Sequence, residues 1–315
     1  MTAFAPGPVE LRAWSERIAA RTEGAGGAAD DTAGRWETLL RLNRRGMPLL
    51  AAGDDDAGLV TGWRHAEWDT GMLGVRVARV AAPVAWGKHA GVDAAARVLG
   101  RAIMEAAAGE DVTLVVSRVG AEDAGVIAGF SAAGMGVVDL NLQYRRRTGD
   151  LTTRFGAPVH AAPTDTPELR ALGSTFTHDH FHADAKVPRD RADALFGQWI
   201  ENSLAGRAAA VLVARTDEGG LAGFITCVVS EAPGSAPVGR IELVATAPGA
   251  RRRGTARGLV WDALAWFRSA GIDVVDVGTQ FANVGAGRLY RACGFSVVSA
   301  ATTHHGWPGE PSAAG

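Results

Sequence analysis

The sequence predicts an α/β chain built on mixed (α+β) sheets and divided into two domains. Three observations carry this. Apolar runs of strand length alternate with stretches of helical apolar spacing along the chain. The chain has 315 residues, 47% of them hydrophobic, which is at or beyond the size where a single core divides. Both halves also close with the same order: strand, helix, strand, helix, strand.

In chain order, residues 1–8 are expected to be disordered. Residues 9–21 and 31–45 read as helices around the flexible, Gly- and Ala-rich 23–29. Residues 59–64 read as a strand, and 68–74 lead into the apolar run 75–80. Residues 93–108 are helical by spacing, with Asp93 placed as the N-cap. Then come a strand at 112–119, a helix at 121–133 and a partly alternating strand at 136–146. Ala132-Ala133-Gly134-Met135 falls roughly where Ala292-Cys293-Gly294-Phe295 falls in the second half. The first half is therefore a candidate degenerate repeat, carried by pattern and not by residues.

Residues 150–163 read as a linker or opening strand, and 167–176 as a short helix. A segment rich in His and Asp follows, from Thr177 to Asp184. Helix 189–205 and strands 209–214 and 221–229 come next, with Glu218-Gly219-Gly220 turning between the strands. The expected domains are 1–150, 151–308 and a disordered tail at 309–315.

Composition narrows the function. The formal net charge is −2, and no long basic run exists, so nucleic acid is not expected as a partner. No apolar run approaches the ~20 residues that span a bilayer. The first residues lack the pattern of a signal peptide. There are 2 cysteines, which excludes a disulfide framework, and a reducing cytoplasm is the expected compartment.

The chemistry concentrates in 241–295. Residues 241–246 are an apolar run ending in Pro248-Gly249, which reads as a strand and a turn. Then Arg251, Arg252, Arg253, Gly254, Thr255 and Ala256 open a helix that continues through Leu259, Val260, Leu264 and Phe267. Small residues admit a ligand close to the backbone. The unpartnered N–H groups of a helix start can bind an anion. By itself the turn reads first as an exposed loop with solvated arginines. It is neither a G-x-G-x-x-G fingerprint nor a P-loop. Further on, Asn283, Ala286 and Tyr290 share one face of a short helix that ends at Gly294. Tyr290 alone could be ordinary core.

Together, Arg251-x-x-Gly254-x-Ala256 and Asn283-x-x-Ala286-x-x-x-Tyr290-x-x-x-Gly294-Phe295 resemble the GNAT acetyltransferase superfamily. The resemblance implies a GNAT fold in the C-terminal half and acetyl-CoA as co-substrate. It implies a sheet that splays after Val244–Thr246 to admit the pantetheine. The implied cofactor-binding residues are Leu243, Val244, Thr246, Arg251–Ala256, Asn283, Ala286 and Tyr290. The implied catalytic groups are Tyr290, as acid for the leaving thiolate, and a backbone N–H near Val244, for the oxyanion. The first half has neither motif, so a GNAT-like domain there is expected to have lost its cofactor site.

Stretches at 181–184, 199–204, 223–227 and 277–283 further resemble the dTDP-fucosamine N-acetyltransferases and their relatives. That likeness implies a small-molecule amine acceptor, the 4-amino group of a nucleotide-linked deoxysugar. Two features depart from it: a long N-terminal helical extension, and the richness of the histidine segment. His178, His180 and His182 could be a solvated or hydrogen-bonded loop or, with Glu242, Thr279 and Gln280, line the acceptor side. No metal is expected, and a homodimer is left open.

Overall fold

The computed structural model describes residues 2–7, 10–16, 32–54, 56–87, 89–151, 158–231 and 236–309. The chain groups into two compact units, 1–140 with 299–315, and 141–298.

Unit 1 contains α1 (10–16), α2 (Thr32–Arg44), β1 (Leu49–Gly53), β2 (Ala57–His65), α3 (Glu67–Leu73), β3 (Val77–Val80) and β4 (Val84–Gly87). It continues with α4 (His89–Gly109), β5 (Leu114–Gly120) and α5 (Ala124–Ala132). β1, β3 and β4 each pair antiparallel with β2, and β3 pairs parallel with β5. One face of this sheet buries Leu99, Ile103, Val115 and Phe130 under α4 and α5. A second core joins Trp14, Trp36 and Leu39 of α1 and α2 to Val60, Val84 and Trp86.

Unit 2 contains α6 (Thr166–Gly173), α7 (His180–Ala183), α8 (Arg189–Asn202), β7 (Ala210–Arg215), β8 (Leu221–Ser230) and β9 (Val238–Thr246). After these come α9 (Thr255–Ser269), β10 (Val274–Gln280) and α10 (Val284–Ala292). β7, β8 and β9 are antiparallel neighbours, and β9 is parallel to β10. Leu259, Val260, Ala263, Leu264 and Phe267 recur at helical spacing on α9 and are fully buried. Each such large side chain contributes about 1.5–3 kcal/mol on burial.

Two strands remain, and they are exchanged. β6 (Met135–Arg147) ends the first half, yet its residues 141–147 pair antiparallel with β10. β11 (Ser296–Gly306) ends the second half, yet its residues 301–306 pair antiparallel with β5. This exchange is why the observed grouping differs from the expected boundary at 150. Of the expected tail, residues 310–315 lie outside the described residues.

The two halves repeat with an offset of 160 residues: β5 opens at Leu114 and β10 at Val274, and α5 opens at Ala124 and α10 at Val284. The exchanged strands keep this register, with Asn141 opposite Gln280 and Ala301 opposite Gly120. The same offset overlays α2 on α8. The N-terminal helices thus fall where α6 and α8 fall in unit 2, and are not an addition to the fold.

The departure from the repeat that bears on the site lies before the long helix. α9 starts at Thr255, whereas α4 starts at His89, six residues before the position that matches Thr255. The residues that match Arg251–Gly254, 91–94, lie inside α4. Asp93 is therefore not the N-cap; it forms an i,i+4 ion pair with Arg97. Arg35 of α2 meanwhile pairs with Asp123, which stands where Asn283 stands in unit 2.

Other expectations shift as well. Residues 2–7 are placed, with Phe4 bridged to Ala51 through both backbone groups at 2.8 Å, so 1–8 is not wholly disordered. The stretch expected to be flexible, 23–29, and residues 9, 17–21 and 31 of the expected flanking helices lie outside the described residues. β1 and β4, of five and four residues, were not anticipated.

Candidate active site

The parallel ladder of β9 and β10 has four pairs, from Val238 with Val274 to Ile241 with Val277. Beyond Ile241, β9 continues on β8 alone, where a register shift lies between Ile225 and Cys227. Ile225 faces Val244 and Cys227 faces Ile241, so Thr226 stands against both Glu242 and Leu243. A bulge of this kind bends and twists its strand. Thr226 Oγ1 fixes it by accepting from the Leu243 amide at 3.0 Å. Successive amides of a strand point to opposite edges, so the Val244 amide is directed to the edge that β10 has left.

The strand then reaches the Arg-rich turn. Arg251, Arg252, Arg253 and Gly254 are all exposed. Arg252 (φ 60°) and Gly254 (φ 86°) are both left-handed, which curls the chain so that its amides gather. Gly254 serves as the N-cap of α9 without a side-chain bond, so the first-turn amides of Thr255, Ala256 and Arg257 have no capping partner. The Thr255 hydroxyl is turned inward, donating to Ala250 O at 3.1 Å. Exposed amides, a helix start and neighbouring guanidinium groups together suit a pyrophosphate.

Across the opening lies α10. Asn283 caps it, its Oδ1 accepting from the Ala286 amide at 3.1 Å. Tyr290 is 3% exposed, and its ring centroid lies 5.7 Å from that of Tyr144 on β6. Burial foremost, then Cys293 and Tyr144, raises the Tyr290 phenol above its ordinary value, so it keeps its proton. Cys293 is pushed up to about 11 by burial, against the pull of Arg257 and Arg146. It is a thiol at neutral pH and a poor nucleophile.

Glu242, on the bulge, is held from the other side. Arg207 grips its carboxylate with both terminal nitrogens, Nη2 reaching Oε1 at 3.1 Å. Trp199 Nε1 donates to Oε2 at 3.2 Å, and the Arg207 guanidinium lies 5.0 Å from the Trp199 ring. The rings of Phe196 and Trp199 stack beside this group, 5.9 Å apart.

Comparison with known proteins fits this geometry. The model of the acetyltransferase (GNAT) family matches residues 173–295. The dTDP-fucosamine acetyltransferase of Escherichia coli is 32% identical over 190 residues, 60% of this chain and 77% of that protein. The chain belongs to the acetyltransferase (GNAT) family. The spore coat polysaccharide biosynthesis protein SpsD of Bacillus subtilis is 30% identical over 149 residues, 47% of this chain. The chain spans about half, 50%, of the length of that relative. A mycothiol acetyltransferase of Salinispora tropica is 32% identical over 180 residues, 54% of this chain and 58% of that one. Among solved structures, a tandem GNAT protein from the clavulanic acid biosynthesis pathway covers 98% of both chains, with a TM-score of 0.55 and 14% identity. At that identity the likeness shows the fold alone, and it is a tandem GNAT fold across both halves.

Within the GNAT domain, β9, the turn and α10 hold the residues that the sequence named for the cofactor. Asn283 differs from expectation in one respect: its side-chain oxygen is engaged in capping α10. Of the readings open for the histidine segment, the hydrogen-bonded one describes it, with the short helix α7 inside it. Asp179 caps α7 through the Phe181 and His182 amides at 2.8 and 3.1 Å. His180 is buried. The His182 side chain is 1% exposed, with Nδ1 on Asp179 and Nε2 2.9 Å from Asp193 on α8. His182 thus ties α7 to α8, while His178 is exposed. Thr279 is buried on β10, beside Gln280 at that strand's end. No group of three or more His, Cys, Asp or Glu placed to hold a metal occurs among the described residues. No described helix is long and apolar enough to cross a membrane.

Three residues of the site were not singled out from sequence: Trp199, Arg207 and Tyr144. Only the first carried a local signal, as an aromatic on the apolar face of a helix.

Proposed function

We propose that the chain is an N-acetyltransferase that moves the acetyl group of acetyl-CoA to a primary amine of a small molecule. The acceptor we favour is a nucleotide-linked 4-amino deoxysugar. The observation that carries this reading is the parting of β9 from β10 after Ile241, between an anion-binding turn and a buried, protonated phenol.

In this reading Arg251–Ala256 take the pyrophosphate, and the pantetheine runs into the opening beside Leu243, Val244 and Thr246. Glu242 takes a proton from the acceptor's ammonium group. It lies one residue past the last parallel pair, while His180 is enclosed in α7. The neutral amine then attacks the thioester carbonyl. The Val244 amide stabilises the oxyanion, as a preoriented donor does best where water is excluded. The C–S bond breaks as the tetrahedral intermediate collapses, Tyr290 gives its proton to the departing thiolate, and the proton shed by the new amide nitrogen restores the phenol. No residue is acylated, in keeping with the thiol state of Cys293.

The sugar acceptor is supported by the identity to the dTDP-fucosamine acetyltransferase. The mycothiol acetyltransferase relative favours a second reading, the same transfer to a different amine. CoA release from acetyl-CoA, measured with a panel of amines headed by dTDP-4-amino-4,6-dideoxyhexoses, separates them. Turnover confined to nucleotide sugars is the expected result. Turnover only on other amines replaces the acceptor, and no release with any amine overturns the reading.

A further inference from the structure

The Arg207–Glu242 pair is built in an unusual way. α8 does not stop cleanly at Asn202 but runs on through a kinked turn, Ser203–Arg207. Gly206 within it has φ 106°, a left-handed conformation in which a side chain would be strained, with open space around it. The kink delivers Arg207 onto the bulge of β9. Arg207 remains 44% exposed, while the Glu242 side chain that it grips is 12% exposed.

The guanidinium thus presents an open face toward solvent and covers a carboxylate that the transfer reaction needs as a base. A carboxylate held by two guanidinium N–H groups and an indole N–H has most of its lone pairs engaged. A planar five-donor fork on a flexible stem recognises phosphate as readily as carboxylate.

We infer that Arg207 selects acceptors that carry an anionic group, and that this group draws Arg207 off Glu242. The inference rests on the transferase reading. A phosphate or carboxylate on the incoming amine competes with Glu242 for the fork. Once released, Glu242 accepts a proton from the ammonium group of the same molecule, leaving the neutral amine to attack. Acceptor recognition and activation of the base are then one event. An amine without an anionic group leaves the pair closed.

The test uses the full chain saturated with acetyl-CoA, so that the arginines of the turn are occupied. The probes are glucosamine and glucosamine 1-phosphate, an amine with and without an anionic group. Binding is read by calorimetry, which needs no turnover. The wild type should bind the phosphate form roughly tenfold or more tightly, the scale of one charge-assisted bidentate contact. Arg207→Gln should bring that ratio close to one without changing acetyl-CoA binding. Glu242→Gln should enlarge it, because the competitor for Arg207 is gone. Arg207→Lys should fall between, keeping the charge without the fork.

A ratio near one in the wild type, or a ratio that Arg207→Gln leaves unchanged, overturns the inference. So does a Glu242→Gln variant with a smaller preference than wild type, since a merely structural ion pair predicts no gain. Loss of CoA release with every amine while the binding preference persists would instead remove the transferase reading. Arg207 is itself 44% exposed and Trp199 Nε1 still donates to Glu242 without it, so Arg207→Gln should remain folded, which circular dichroism checks.

Discussion

The ring of Tyr144, on the exchanged strand β6, lies 5.7 Å from the ring of Tyr290 on α10. In unit 1 the same two places, 160 residues away, hold His304 on β11 and Phe130 on α5, 6.2 Å apart. The repeat has therefore kept an aromatic contact between the exchanged strand and the helix in both units. In unit 1 the helix residue has no hydroxyl.

That difference predicts the behaviour of Tyr290→Phe, which gives unit 2 the ring found in unit 1. Packing is retained, so the acetyl-CoA dissociation constant should stay within experimental error. Turnover should fall about 10²-fold or more through loss of the proton donor. Full turnover in that variant would remove Tyr290 from the mechanism.

Gly254 allows a second check. At φ 86° a β-branched residue is strained by about 1–2 kcal/mol, and the strain falls on the amides of the anion-binding turn. Gly254→Val should raise the KM for acetyl-CoA about tenfold, since 1.4 kcal/mol is one decade. The kcat should change little. An unchanged KM would detach this turn from cofactor binding.

The exchanged strands predict how the chain can be cut. A fragment of residues 151–315 retains α10 and Tyr290 but lacks β6. It exposes the edge of β10 and leaves a gap where Tyr144 was buried, which costs about 3–5 kcal/mol for an aromatic side chain. It should be insoluble when expressed alone and recovered when residues 1–150 are co-expressed. Residues 141–298, which match unit 2, should be more soluble than 151–315. Sedimentation of expressed fragments, followed by circular dichroism, checks both statements.

How far the site was legible follows from the range of the interactions that build it. Gly254, the arginines and the Asn283–Tyr290 face declare themselves over spans of a few residues, through backbone conformation and helical periodicity. The exchange of β6 and β11 does not. A strand's alternation states which face is buried, not which neighbour it will pair with. Asp179 lies only three residues from His182, but Asp193, eleven residues on, reaches that ring only when α7 packs on α8, so this tie between helices was not legible. Arg207 was hidden because its position depends on the positive φ of Gly206, which composition does not reveal. β1 and β4 are too short to show a period.

The last prediction concerns pH. His304 is fully buried in unit 1, where Nδ1 is 3.0 Å from the Met135 carbonyl and Nε2 is 3.0 Å from the Thr302 hydroxyl. A carbonyl can only accept, so Nδ1 carries the proton, while Nε2 faces the Thr302 hydroxyl, whose one hydrogen is shared between it and the Val119 carbonyl. Burial, with a smaller push from His305, lowers the affinity of this imidazole for a second proton, and the Met135 bond only partly opposes it. The unfolded chain binds that proton near pH 6.5, the usual value for histidine. Between that value and the lower folded one, the unfolded state holds more protons, so stability rises with pH. Unit 1 should therefore have its full stability above about pH 6.5 and lose up to about 1.4 kcal/mol per unit as pH falls below it. Urea unfolding at a series of pH values from about 5 to 7.5 should show this slope. His304→Gln should flatten it while lowering stability throughout. The same slope in that variant would assign it to other groups.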